Sequence, residues 1–270
     1  MNVLDRGLRY GDGFFDTMLM LNGNPVWSQA HWERMVNSAK KIDVSWPNLD
    51  SISSNGDPYA IWLQEIQEKW DKAGRPTVAR ARTVVWRLGD GDYFPTTSEC
   101  GSLVHVDPFE PHANKEFSLG PSKIVQCPPM TPWFKSLSAM PYILAAKYAR
   151  DRGWDDALLM DSHGKFIESS RSNLFYWVNG CCYTPSINSG CLPGIAAQYL
   201  IQFLASMGHT VQFASATDEI LRNATGIWLT NSLRGIIGVH QWDHQKMPVD
   251  PQATLLTAAN AGILGGSELT

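Results

Sequence analysis

K-S-L-S-A-M-P-Y-I-L-A-A-K-Y-A-R-D-R-G-W-D-D-A-L-L-M-D-S-H-G-K-F-I-E-S-S-R-S-N, residues 135 to 173, decides how this chain is read. Lys135 stands just ahead of a segment with helical spacing. Pro141 does not forbid a helix from there to Arg152, because proline is tolerated in the first turn. Ile143, Leu144, Lys147 and Tyr148 would carry it. Asp155 to Asp161 reads as a strand, Ser162-His163-Gly164 as a turn, and Lys165 to Glu168 as the return. The stretch thus offers a lysine, a helix, and a hairpin that delivers Glu168 beside small polar residues. A lysine amine can form a Schiff base with an aldehyde cofactor. A carboxylate can hold a protonated pyridine nitrogen.

Downstream, Asn173 to Val178 reads as a strand, Asn179-Gly180 as a type I′-like turn and Cys181 to Thr184 as its return. Pro193-Gly194-Ile195 opens a helix from Ala196 to Met207. His209 to Phe213 is a strand, Thr217 to Ala224 a short helix capped by Thr217, and Gly226 to Thr230 a strand entering N-S-L-R-G-I-I-G-V. Pro251 to Ala261 is a last helix.

Upstream, residues 10 to 27 read as two strands joined by the tight turn Asn22-Gly23-Asn24. Gly11-Asp12-Gly13 is either a plain loop or a place where backbone can come close to a ligand. Ser28 is an N-cap for a helix whose face is spaced by Ala30, Met35, Ala39 and Ile42. His31 and Arg34 lie three apart on it, and taken alone they read as solvated surface. Asp57 caps and Pro58 starts an amphipathic helix to Lys72, with Ile61, Ile66 and Trp70 facing inward. Gly74 ends it. Thr77 to Leu88 and Cys100 to Val106 are strands, separated by a loop containing G-D-G-D-Y-F-P. Pro108 to Gly120 is rich in breakers, which puts the domain boundary there. A short strand, Lys123 to Cys127, begins the second half. The expected division is therefore 1–112, a linker 113–120, and 121–270.

The chain has 270 residues, 44% hydrophobic and 18% charged, ample for a core in each of two medium domains. A formal net charge of −4 gives no electrostatic case for nucleic acid. Eleven tryptophans read as core rather than as a stacking platform, since no basic groove accompanies them. Five cysteines, an odd number without zinc-site spacing, read as reduced thiols. No signal core and no membrane-length apolar run occurs, so a cytoplasmic protein is expected. His31, His105, His163 and His240 form no recognisable ligand set, and no metal is expected. The pattern is α+β, with many hairpins, no regular βαβ rhythm, and neither a G-x-G-x-x-G turn nor a Walker A loop.

Lys135 and Glu168 are joined by C-L-P-G-I-A-A-Q, residues 191 to 198. A helix start with free backbone N–H groups suits an anion such as phosphate. Thr230-Asn231-Ser232 is a second donor-rich turn directly after a strand. Each piece alone has a bland explanation; their order along one chain is the informative part.

From Asp5 to about Val239 the sequence resembles the fold-type IV pyridoxal-phosphate enzymes: branched-chain aminotransferases, D-amino acid aminotransferases and 4-amino-4-deoxychorismate lyases. The matching pieces, in family order, are R-G-L-R-Y-G-D-G-F-F-D-T, A-H-W-E-R-M, K-S-L, A-L-L-M-D-S-H-G-K-F-I-E-S-S-R-S-N-L-F, Y-T-P, L-P-G-I and L-T-N-S-L-R-G-I-I-G-V. The resemblance implies a smaller N-terminal α/β sandwich and a larger, barrel-like C-terminal domain. It also implies pyridoxal phosphate as cofactor, a small amino substrate and a homodimer. By position, Lys135 looks like the Schiff-base lysine, because Ser136-Leu137 follows it as in the family; the rival Lys147 lies inside the helix. Glu168 looks like the ring-nitrogen partner. Arg34 matches the phosphate-binding arginine of the H-x-x-R helix, which reverses its bland reading. Gly194, Ile195 and Ala196 match the helix-start donors, and Asn231 and Ser232 the second phosphate turn.

The chain also departs from the family pattern. Ala196 stands where a threonine is frequent. Ser138 and Ala139 stand where branched-chain aminotransferases carry a tyrosine. Asp92 replaces the arginine of R-G-Y, which puts the inherited substrate-carboxylate contact in doubt. The chain begins almost at R-G-L-R-Y, which suggests a shortened N-terminus. T-N-S-L resembles the lyase branch. The expectation is therefore an aminodeoxychorismate lyase, which releases pyruvate and 4-aminobenzoate on the way to folate. A transaminase acting on branched-chain or D-amino acids with 2-oxoglutarate is the alternative, and an inactive cofactor-binding relative the third reading.

Overall fold

The structure is a computed structural model, and it describes residues 5–47, 56–110, 116–126 and 134–264. The chain divides into two compact units. One holds Met1–Glu110 with Phe134–Ser138, the other Pro111–Trp133 with Ala139–Thr270. The five-residue segment around Lys135 therefore groups with the N-terminal unit, although the domain division read from the sequence put it in the second.

In the N-terminal unit, a short helix α1 (Arg6–Tyr10) precedes β1 (Gly13–Leu21) and β2 (Asn24–Pro25). Asn22 and Gly23 take positive φ, 49° and 82°, and turn the chain between them. Helices α2 (Ser28–Lys41) and α3 (Pro58–Lys72) follow, then β3 (Val78–Arg87) and β4 (Cys100–Pro108). The sheet order is β2-β1-β3-β4. One face of β1 carries Phe14, Met18 and Met20 into a core with Met35 and Ala39 of α2 and Trp62 and Ile66 of α3. Two details differ from the sequence reading. Trp27, in the left-handed region at φ 55°, occupies the cap of α2 with no side-chain capping bond; Ser28 Oγ instead meets the Tyr59 hydroxyl at 2.7 Å. On α3 it is Trp62 that is buried, while Ile61 is 42% exposed. Asp57 does cap α3, accepting from Tyr59 N at 3.1 Å.

The C-terminal unit is built on β5 (Phe117–Val125), β6 (Asp156–Met160), β7 (Phe166–Ser169), β8 (Asn173–Val178), β9 (Cys181–Thr184), β10 (Val211–Phe213), β11 (Gly226–Asn231), β12 (Gly235–Trp242) and β13 (Gln245–Lys246). Its order is β10-β9-β8-β11-β12-β5-β6-β7, and β7 also pairs with β8. Six strands thus close into a barrel: β8, β11, β12, β5, β6 and β7. Phe117, Leu119, Leu158, Phe166, Leu174, Leu229 and Trp242 are among the residues of its main core. Helices α4 (Met140–Asp151), α5 (Ile195–Ser206), α6 (Asp218–Arg222) and α7 (Ala253–Leu264) complete the unit.

β5 corrects the linker. The segment 113–120 was expected to be irregular and a strand to run from Lys123 to Cys127, yet the strand begins at Phe117 and runs through Gly120-Pro121. Proline is tolerated because pairing with β12 stops at Leu119 and the register with β6 shifts after Pro121. Residues 111–115 and 127 lie outside the described part. No helix of the described residues is long and apolar enough to cross a membrane.

Candidate active site

The residues singled out from the sequence fall on both units. In the N-terminal unit, the segment carrying Lys135 lies along the start of β1. Phe15 N–H donates to Lys135 O at 2.9 Å, Leu137 N–H to Gly13 O at 3.1 Å, and Phe14 bridges Ser136. The glycines upstream admit this segment. A Cβ on Gly11 would stand 2.4 Å from Ser138 Oγ, and one on Gly13 2.3 Å from Val85 O and 2.8 Å from Leu137 Cδ1. The glycines thus make room for the chain's own segment 136–138 and for Val85. Lys135 Nζ sits 4.6 Å from the centre of the Phe15 ring.

Arg34 and His31 converge on one carboxylate that sequence reasoning missed. Arg34 Nε donates to Asp16 Oδ2 at 2.7 Å and Nη2 to Oδ1 at 2.9 Å; His31 Nδ1 lies 2.6 Å from Oδ1. Asp16 is 3% exposed and His31 fully buried. Burial pushes the Asp16 carboxyl up, but Arg34 and His31 outweigh it and hold it well below the usual carboxylate range. Burial pushes the His31 imidazole down, against the pull of Asp16, and Lys135 adds to the lowering. A neutral ring then donates from Nδ1, and its Nε2 is buried with no hydrogen-bond partner among the described residues. The spacing of His31 and Arg34 was visible, but nothing in it tied them to an acid fifteen residues upstream on a strand.

The arginines of R-G-L-R-Y also have work that the sequence did not reveal. Arg6, 4% exposed, pairs with Asp12 at 2.8 Å and donates to the carbonyls of Gly91 and Asp92. Arg9 reaches Asp90 at 2.9 Å. They fasten the loop that carries Asp92.

In the C-terminal unit, Glu168 ends up 3% exposed near the end of β7. Its Oε1 accepts from the Tyr142 hydroxyl at 2.7 Å and its Oε2 from Leu192 N–H at 2.9 Å. Asn173 Nδ2 donates to Leu192 O at 2.7 Å. Gly194 precedes α5 with φ −72° and ψ 136°, and the helix start has no side-chain cap. A Cβ on Gly194 would stand 2.0 Å from Asn173 Oδ1. Ile195 and Ala196 are the first two helical residues, both buried. Asn231 Nδ2 donates to Ser172 Oγ at 2.9 Å, and its Oδ1 accepts from Leu233 N at 3.0 Å and Arg234 N at 2.9 Å. That side chain closes the turn in which Ser232 sits. Asp156 anchors the intervening E-S-S-R-S-N turn, accepting from Ser169 Oγ at 3.0 Å and Ser170 Oγ at 2.6 Å. The rival Lys147 is on the outer face of α4, 59% exposed and paired with Asp151 at 2.6 Å.

The model of the class IV aminotransferases matches residues 13–242, and the chain belongs to that family. It is 25% identical over 243 residues to an aminodeoxychorismate lyase of Vibrio harveyi, covering 87% of this chain and 84% of that one. It is 26% identical over 249 residues to a putative branched-chain-amino-acid aminotransferase of Methanocaldococcus jannaschii, covering 90% and 83%. Among solved structures, the branched-chain aminotransferase of Thermoproteus uzoniensis with norvaline superposes with TM-score 0.87 at 21% identity, over 99% of this chain and 91% of that one. The pyridoxal-phosphate-bound form of a hypothetical aminotransferase of Mycobacterium tuberculosis gives 0.81 at 22%, over 98% and 93%. The α+β fold of the fold-type IV enzymes expected from the sequence is thereby established, and the chain is an enzyme of the lyase or aminotransferase kind.

Proposed function

We propose that the protein is a pyridoxal-phosphate enzyme that eliminates pyruvate from 4-amino-4-deoxychorismate and leaves 4-aminobenzoate for folate synthesis. The observation that carries the cofactor reading is Glu168, a buried carboxylate with a hydrogen-bond donor on each oxygen. Such a carboxylate, accepting on both oxygens, suits a protonated pyridine nitrogen. Other residues fit the group too. The uncapped start of α5, with Ile195 and Ala196 behind Gly194, offers N–H donors for phosphate. Arg34, and Ser232 in the turn closed by Asn231, would add to the phosphate contacts. Pyridoxal phosphate, when bound, supplies an electron sink for bond cleavage at the substrate's α-carbon. Lys135 Nζ is the amine for the aldehyde end and the group that moves protons at the substrate carbon.

The lyase is favoured over the aminotransferase by the Thr230-Asn231-Ser232-Leu233 turn, where the asparagine is the residue that closes it. The likeness to a branched-chain aminotransferase at comparable identity supports the second reading, amino transfer from branched-chain or D-amino acids to 2-oxoglutarate. A cytoplasmic homodimer belongs to the same proposal, and light scattering on the purified protein tests the dimer.

The deciding assay supplies aminodeoxychorismate without a keto acid. Pyruvate and 4-aminobenzoate should appear in equal amounts. No pyruvate in that assay, together with amino transfer to 2-oxoglutarate when it is supplied with a branched-chain or D-amino acid, would select the aminotransferase. The reconstituted protein should show a visible absorption band that borohydride abolishes. Lys135→Ala should lack it and Lys147→Ala should keep it; the reverse would overturn the lysine assignment.

A further inference from the structure

Tyr142 lies on α4 one turn beyond Ser138 and Ala139, and no role has been assigned to it. Its hydroxyl donates to Glu168 Oε1 at 2.7 Å and accepts from Gln126 Nε2 at 2.8 Å. Gln126 Nε2 is also 3.3 Å from Gly190 O, so the amide is held from two sides. Gln126 is 6% exposed and Glu168 3%. With water excluded, protein donors and charges set the orientation and charge of this carboxylate.

We propose that Tyr142 is a positioning residue: together with Leu192 N–H it fixes the Glu168 carboxylate, as an anion and in one rotamer, for the cofactor ring nitrogen, and Gln126 orients the phenol for that task. The inference rests on the reading of Glu168 given above. A phenol can donate or accept. Here Gln126 Nε2–H donates a hydrogen bond to its oxygen, which leaves the hydroxyl hydrogen for Glu168. Burial, and then the Glu168 charge, push the Tyr142 hydroxyl well above its ordinary value, so it remains a donor throughout the range in which an enzyme works. Cys191 also faces Glu168, and burial first, then the Glu168 charge, push its thiol up to about 12. It stays neutral, and its Sγ–H is directed to Pro185 O at 3.5 Å and Ser186 O at 3.3 Å rather than to the carboxylate.

Four variants and two measurements test this. In the cofactor-free protein, carbon NMR of labelled glutamate follows the Glu168 titration. In the full protein, fluorescence quenching follows binding of pyridoxal phosphate. Tyr142→Phe should move the Glu168 titration to higher pH and weaken cofactor binding about tenfold. Glu168→Gln should weaken binding at least as much, and the double variant no further. A ring-fluorinated tyrosine at position 142 keeps the shape and makes a stronger donor; it should move the Glu168 titration the other way, and it serves if Tyr142→Phe does not fold. An unchanged Glu168 titration with both replacements at position 142 overturns the inference, whatever the activity. A shifted titration with undiminished cofactor binding in Glu168→Gln instead overturns the assignment of Glu168 and, with it, the purpose given to Tyr142.

Discussion

Asp16 is the most heavily committed side chain of the N-terminal unit. One buried carboxylate holds Arg34 in a two-bond fork and His31 through Nδ1. Both buried groups titrate below their ordinary ranges in the folded chain. As pH falls, the unfolded chain therefore takes up each proton first. Their contributions are whole above the unfolded values and are lost below them: His31's below about 6.5, Asp16's below about 3.9. Stability should decline on acidification from neutral, with His31 responsible for the upper part of the slope. The urea midpoint should be lower at about pH 5 than at about pH 7. His31→Gln, which can still donate to Asp16, should lose less over that interval. An equal loss in the two proteins would exclude His31 as the cause. Much at this scale was hidden from the sequence. Lys135 and Glu168 stood out because each sits in a recognisable local pattern, and Arg34 only through the family resemblance. Asp16, Tyr142 and Gln126 did not, since their partners come from other elements that only the folded sheets bring near.

Among elements, hairpins and helices were legible where local chemistry decides them. Asn179-Gly180 turns with φ 52° and 77°, Thr217 caps α6 through Ile220 N at 3.3 Å, and Asp57 caps α3. Legibility failed where packing overrides a local preference. A Cβ on Gly120 would stand 2.2 Å from the Trp154 ring, so this glycine makes room for an indole inside a strand and is not a breaker. The start of α5 depends on packing in the same way. Gly194→Ala should force Asn173 away, break its bond to Leu192 O and loosen the Leu192 N–H that serves Glu168. Overpacking of this kind costs about 1–3 kcal/mol. Asn173→Ala in the same chain relieves the clash, so urea unfolding of the double variant should show part of the loss restored. A double variant whose losses simply add would rule out Asn173 as the obstacle.

At the scale of the molecule, the grouping of residues 134–138 with β1 was not legible in the sequence. That grouping depends on an edge of the first sheet accepting a segment more than a hundred residues away. The barrel raises a related question, since its closure between β7 and β8 rests on one paired position, Glu168 with Asn173. A single pair is weak on its own. The turn between these strands supplies the rest, and it is organised by Asp156, 1% exposed, which accepts from Ser169 Oγ, Ser170 Oγ and Ser170 N–H at 3.0, 2.6 and 3.2 Å. Ser169 Oγ in turn accepts from Ser172 N–H at 3.0 Å. The residues that join the barrel are thus the ones that set Glu168 in place. Asp156→Ala removes several charge-assisted bonds at once and should lower stability by about 3 kcal/mol. If closure and site are one device, it should also weaken pyridoxal-phosphate binding, although Asp156 itself has no proposed contact with the cofactor. Urea unfolding and cofactor quenching on the same preparation measure the two effects. A variant that loses stability but binds the cofactor as wild type does would separate the seam of the barrel from the placement of Glu168.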